Sequence, residues 1–192
     1  MDSTLHRPQK ELQRGLPHVQ ASPTDYGKLD AIIIRPTENE RRSLERCQLS
    51  PDGGVHGDSW AHGCWLSLEN GAPHPDVQIA IINSRTIELL ASSKERWSLA
   101  GDNLYVDLDL SRANLKTGDL LRLGECLIEI TDQAHNGCRK FAERYGKDAV
   151  AFVNSAAGKE LRLRGVYAKV IEAGEIQVGD VISKVDVPNA SA

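Results

Sequence analysis

The chain has 192 residues, 40% hydrophobic and 26% charged, with a formal net charge of −4. That balance fits one soluble domain with its own core and excludes a disordered or membrane-embedded chain. A slight acidic excess argues against broad electrostatic binding of nucleic acid, and no apolar stretch is long enough to cross a bilayer. The first twenty residues lack the apolar middle of a secretory signal, which makes the cytoplasm the expected compartment.

Residues 1–27 are polar, and Pro8, Pro17, Pro23 and Gly27 interrupt any periodicity. They read as an extension, disordered or strapped across the surface. Residues 28–187 then form one domain, followed by a short tail at 188–192. LDAIIIRP reads as a strand ended by Pro36, and ENERRSLERC, charged all round, as a short solvated helix or a loop. PDGGVHGDSWAHG is a turn-rich loop. VQIAIIN has the continuous apolar run of a buried strand. Asn83 or Ser84 then caps a helix, SRTIELLASSKERW, with Ile87, Leu90 and Trp97 on one face.

From Gly101 the pattern turns to strands: NLYVDLDL alternates, and KTGDLLRLGECLIEITD reads as two strands joined near Gly124. RKFAERYG fits a short helix closed by Gly146, and DAVAFVNSAAG a second closed by Gly158. RLRGVYAKVIEAGEIQVGDVISKV returns to strand, turn at Gly174 and strand. Many short strands with Gly-Asp turns and few helices predict a mostly β fold, a barrel with helical insertions.

Four cysteines, Cys47, Cys64, Cys126 and Cys138, show no C-x-x-C spacing, and each is expected as a free thiol. Cys138 stands out. In HNGCRKF it follows a turn and falls in the first turn of a predicted helix, beside Arg139 and Lys140 and near His135. Helix N-terminal N–H groups and nearby cations favour thiolate, the reactive and metal-ligating form. The competing reading is a small apolar filler beside solvated basic residues. Cys126 alternates inward in GECLIEI, Cys47 follows a run of charges that offers no mechanism, and Cys64 has no charged helper beside His62.

Other candidates are His56 and Asp58 in GVHGDSW, which could hold a metal or simply shape a turn. Asn103, in a Gly-Asp-Asn turn, could offer its amide to a polar heterocycle. Arg162 and Arg164 alternate in a predicted strand and so share a face, where they could clamp a phosphate or merely be solvated. No phosphate-cradling loop, zinc ladder, nucleophile elbow or dinucleotide fingerprint is present.

The segments GVHGDSW, AGDNLYVDLDL, TGDLLRLGECLIEIT, HNGCRKF and RLRGVYAKVIEAGEIQVGD, in this order, resemble the MOSC domain, named for the C-terminal part of molybdenum cofactor sulfurases. The resemblance spans about residues 28 to 185. It implies a β-barrel and a role around the molybdenum cofactor, a pterin dithiolene with a phosphate tail. It puts Cys138 at the family's motif cysteine, as molybdenum ligand or sulfur carrier. Here Asp102 replaces the usual acidic residue of the G-E-N-L motif, and the loop after Asp58 reads SWAHG.

Three functions follow as expectations. In a cofactor-dependent redox enzyme, Cys138 ligates molybdenum, Asn103, His135, Arg139, Lys140, Arg162 and Arg164 surround the cofactor, and a separate protein donates electrons. A sulfur carrier instead accepts persulfide sulfur on Cys138 from a separate pyridoxal-phosphate cysteine desulfurase, a domain this sequence lacks. A binding module keeps the barrel but uses the cleft for another anion or a protein partner.

Overall fold

The computed structural model describes residues 6–185; the expected tail at 188–192 lies outside them. Its elements in chain order are α1 (Gln9–Gln20), β1 (Gly27–Ile34), β2 (Arg42–Leu44), β3 (Arg46–Ser50), β4 (Gly54–Val55), α2 (Trp60–Gly63), β5 (Ile79–Asn83), α3 (Ser84–Ala91), β6 (Leu104–Asp107), β7 (Leu120–Leu123), β8 (Cys126–Ile130), α4 (Arg139–Tyr145), α5 (Lys147–Asn154), α6 (Ala156–Glu160), β9 (Val166–Glu172), β10 (Gly174–Gln177) and β11 (Val181–Lys184). Single 3₁₀ segments, Pro75–Val77 and Lys94–Ala100, precede β5 and β6.

Seven strands close on themselves in the order β11-β7-β8-β9-β5-β6-β1, with β1 returning to β11 through Gly27 and Lys28. All neighbours are antiparallel except β5 and β6. Closure leaves no exposed sheet edge in the ring, the usual hazard of a small β fold. β2 lies outside the ring on β1, and β10-β3-β4 form a small second sheet.

Strand alternation explains the continuous apolar runs. Ile79 and Ile81 of β5, Leu104 and Val106 of β6 and Ile32 and Ile34 of β1 fill the barrel interior. Ile82, Tyr105 and Ile33, one residue out of step, face a second core under the helices. Both faces of these strands are therefore buried, so period-2 polarity vanishes from the sequence. A register shift between Leu29 and Ala31 keeps Leu29 in the interior set despite its odd spacing from Ile32.

Several segments differ from the sequence reading; the helix expected over SRTIELLASSKERW, for one, stops at Ala91 and Trp97 falls in the separate 3₁₀ segment. The N-terminal extension contains a 12-residue helix in which Leu12, Leu16 and Val19, spaced four and three apart, join the outer core. Pro17 sits inside that helix, and its carbonyl still accepts a bond from Ala21 N. ENERRSLERC is neither helix nor plain loop; it supplies β2 and the start of β3, where Cys47 and Leu49 alternate inward. DAVAFVNSAAG splits at Ser155 into α5 and α6, so Gly158 lies inside a helix instead of ending one.

The RLR segment is also not strand. Residues 161–164 form turns after α6, and Arg162 takes a left-handed φ of 47°. Gly165 (φ 105°) then lets the chain pass β5: a Cβ there would stand 2.1 Å from the Ile81 carbonyl oxygen. Only glycine fits both the angle and the approach.

Candidate functional site

The thiol of Cys138 is presented at the start of α4. Its backbone is extended (φ −113°, ψ −178°), so it occupies the cap position and not the first helical turn that the sequence predicted. Its carbonyl accepts from Ala142 N at 3.0 Å, and its side chain makes no cap bond. Phe141 and Tyr145 fix the opposite side of the helix in the outer core, their ring centroids 4.9 Å apart, and the Tyr145 hydroxyl donates to Arg96 O at 2.7 Å.

The preceding loop is tied down as well. Gly137 N donates to Asn154 Oδ1 at 2.9 Å and Asn154 Nδ2 donates back to Gly137 O at 3.0 Å. A Cβ at Gly137 would meet Val153 Cγ2 at 2.9 Å, so a side chain there would have to displace Val153. Cys138 thus stands between two anchored points.

Among the free cysteines, Cys138 is the exposed one. Cys64 is half-buried, and Cys47 and Cys126 are buried. Burial, then the Glu125 charge, pushes the Cys126 thiol up to about 11, and burial likewise raises Cys47. Those two are inert core thiols.

The basic neighbours are arranged differently from the sequence reading. Arg139 is 89% exposed and lies 3.6 Å from Glu143; Lys140 reaches Glu38 at 3.1 Å. Both project into solvent with a carboxylate close by.

His135 adds no positive charge. Its side chain is 7% exposed and stacks on Tyr167 with centroids 4.4 Å apart. Burial, and then the charges of Arg164 and Arg35, hold the imidazole well below its ordinary value of 6.5. It is therefore neutral at pH 7, and the 3.6 Å approach of Nδ1 to Asp102 Oδ1 is not an ion pair. Nδ1 has no hydrogen-bond partner.

Behind His135 lies a buried ion pair. Arg164 Nη1 donates to both oxygens of Asp102, at 2.9 and 2.8 Å, and Nη2 donates to Ala100 O at 3.0 Å. The guanidinium carbon lies 4.8 Å from the Phe141 ring centroid, which couples this pair to the helix that follows Cys138. Arg164 Nε is buried without a partner. Burial pushes the Asp102 carboxyl above its ordinary range, and Arg164 works against that shift. Arg162 does not share a face with Arg164 as a strand pair would; its Nη1 donates to Leu115 O at 2.8 Å and pins that loop.

Asn103 offers no amide to a ligand. It is fully buried; Oδ1 accepts from Ala80 N and Arg35 Nη2, both at 3.1 Å, and Nδ2 donates to Ile33 O at 3.3 Å. It stitches β1, β5 and β6 together.

Sequence reasoning missed Arg35. It follows the β1 apolar run and grips Asp58 with Nε and Nη2 at 2.9 and 2.8 Å, while Nη1 donates to Gly101 O at 2.8 Å. A charged residue directly continuing a buried run was the available signal. Asp58, with its side chain 1% exposed, belongs to this bond, whereas His56 is exposed and bonds Ser50 Oγ at 2.8 Å. The two do not form a metal pair. No group of three His, Cys, Asp or Glu side chains suited to a metal ion occurs among the described residues.

Trp65 was also missed. It is 68% exposed and lies near the Tyr167 side chain, whose ring stacks on His135. Loop 131–136 and segment 158–166 border a cavity of about 240 Å³ lined by Arg112, Asp132, His135, Lys159, Arg162 and Arg164.

The family model of the MOSC domain matches residues 59–183, a span that includes Asp102, His135, Cys138, Arg164 and Tyr167. The chain belongs to the MOSC domain family. Its barrel resembles the YuaD protein from Bacillus subtilis (TM-score 0.61, 18% identity, 84% of this chain and 97% of that one). It also resembles YiiM from Geobacillus stearothermophilus (0.56, 15%, 85% and 77%) and YiiM from Escherichia coli (0.53, 20%, 84% and 71%). At these identities the likeness establishes the shared fold. No curated protein sequence matches the chain. Among the described residues no helix is long and apolar enough to cross a membrane.

Proposed function

We propose that this MOSC protein binds the molybdenum cofactor through Cys138 and uses it in a redox reaction supplied with electrons by a separate protein. The observation that carries the reading is the contrast among the thiols: Cys138 is exposed and held between anchored points, while Cys47 and Cys126 are buried. The surroundings fit such a group in two further respects. Trp65, near Tyr167, offers an exposed indole against which a flat heterocycle can stack. His135 Nδ1 and Arg164 Nε are buried polar atoms lacking partners, the kind of group that a polar ligand or ordered water satisfies.

When bound, the cofactor would supply a redox-active metal, with Cys138 as its protein thiolate. The protein's own part is positional. Asn154 and Gly137 hold the cysteine loop, and the Arg164–Asp102 pair, braced on Phe141, keeps neutral His135 against Tyr167.

The test is molybdenum content per chain after gentle purification from a cofactor-competent host. Stoichiometric metal and a pterin mass are expected in the wild type and neither in Cys138→Ala; wild-type protein without molybdenum refutes the reading.

A second reading rests on the same exposure. A thiol this open is accessible to another protein, so Cys138 could attack the outer sulfur of a desulfurase persulfide, taking that sulfur and releasing the desulfurase thiolate. A gain of one sulfur on Cys138, absent in Cys138→Ser, supports it; equal loading of the variant ends it.

A further inference from the structure

The cavity between loop 131–136 and segment 158–166 has a charge pattern of its own. Arg112, Lys159, Arg162 and Arg164 line it against a single carboxylate, Asp132, which already accepts from Thr117 Oγ1 at 3.3 Å. Arg164 spends its Nη groups on Asp102 and Ala100, and Arg162 spends Nη1 on loop carbonyls. Arg112 and Lys159, both exposed, have no ion-pair partner among the described residues. Burial and then the Arg112 charge disfavour the charged form of Arg162 against the opposing pull of Asp119, Asp132 and Glu160, and an anion between Arg112 and Arg162 would relieve it further.

At about 240 Å³ the cavity is several times the roughly 30 Å³ that one water occupies in the liquid, enough for a tetrahedral oxyanion with hydrating waters. Its lining includes His135 and Arg164, two of the three described residues with a buried side-chain nitrogen that lacks a partner. Cys138 is not part of the lining.

We infer that this cavity is an oxyanion site, taking a phosphate-type group between Arg112, Lys159 and Arg162 with Arg164 behind it. The group is either free phosphate or sulfate or the phosphate end of a monoester; the recognising chemistry is shared. His135 and Arg164 border both this cavity and the cysteine site, but Arg112 and Lys159 take no part in presenting Cys138, so their removal tests this cavity apart from the cysteine. Arginine supplies the forked donors such a group prefers, and lysine adds a point charge.

The experiment is isothermal titration of full-length protein, dialysed into chloride buffer, with sodium phosphate, sodium sulfate and methyl phosphate at constant ionic strength. Saturable binding of one phosphate per chain is expected in the wild type and equally in Cys138→Ala. In Arg112→Gln/Lys159→Gln, whose two side chains lie on the exposed rim and leave folding intact, affinity should fall at least tenfold. Methyl phosphate binding as well as phosphate assigns the site to a monoester end; much weaker binding assigns it to the free oxyanion. Absence of saturable binding by all three anions, or unchanged affinity in the double variant, overturns the inference. Loss of binding in Cys138→Ala alone would also overturn it, by merging this cavity with the cysteine site.

Discussion

Asp102→Asn tests the buried pair that organises the site. Its side chain is fully buried and that of Arg164 only 8% exposed, so neither charge is well served by water. Asparagine keeps the shape but presents one acceptor oxygen where Arg164 Nη1 now uses two, and it removes the compensating charge. Desolvation offsets most of the attraction within such a pair, so the pair as a whole contributes little against an apolar replacement. Removing one partner is another matter: the guanidinium stays buried against Phe141 with its charge unmatched, at a cost of about 3–5 kcal/mol. That is a large part of the roughly 5–15 kcal/mol that holds a domain folded. Arg164→Met strands the carboxylate instead and should cost a similar amount. In the double variant no charge is stranded, so it should be more stable than the sum of the singles by at least about 2 kcal/mol. Urea unfolding followed by circular dichroism, with slopes compared across the four proteins, reads this directly. Additive effects, or single costs below about 1 kcal/mol, would refute the reasoning.

His135 gives a pH signature. Its native pKa is depressed, so below about pH 6.5 the unfolded chain takes up a proton that the native imidazole refuses. Stability therefore falls as pH falls, by up to about 1.4 kcal/mol per unit, until the much lower native pKa is reached. His135→Phe, which keeps a ring against Tyr167, should remove that slope between pH 6.5 and 5.5; an unchanged slope in urea melts at the two pH values contradicts it. At the other end of the chain, Leu12→Ala should cost about 2–5 kcal/mol, because Leu12 is fully buried between the N-terminal helix and the barrel. A melting temperature equal to that of the wild type would show that α1 is not part of the folded unit.

What the sequence disclosed and withheld has physical causes. The barrel was legible because short apolar runs separated by Gly-Asp turns have few other ways to bury themselves. The helix α1 was not, since three prolines and many charges masked the 12, 16, 19 spacing, and Pro17 proved compatible with the helix interior. The strands β2 and β3 were hidden because β2 has no buried residue and β3 shows only Cys47 and Leu49 to the core. An exposed thiol at the start of α4 was legible from the heptapeptide around Cys138, but its setting was misjudged. Local sequence suggested charges converging on the thiol; in space Arg139 and Lys140 turn outward and His135 turns inward and neutral. Arg162 and Arg164 looked like a strand pair because leucines alternate with them, yet a left-handed residue and a glycine break that strand before it begins. Asn103 and Arg35 are long-range partners, 68 residues apart, and nothing local to either announces the bond.

The claim that the site acts through Cys138 is tested most directly by alkylating the native protein with iodoacetamide, mapping the four cysteines by peptide mass, and then measuring bound molybdenum and persulfide sulfur. Expected are rapid modification at Cys138, protection of Cys47 and Cys126 until the protein unfolds, and no molybdenum or added sulfur on the alkylated protein. Protein modified at Cys138 that still takes up molybdenum or sulfur at wild-type stoichiometry would contradict the claim.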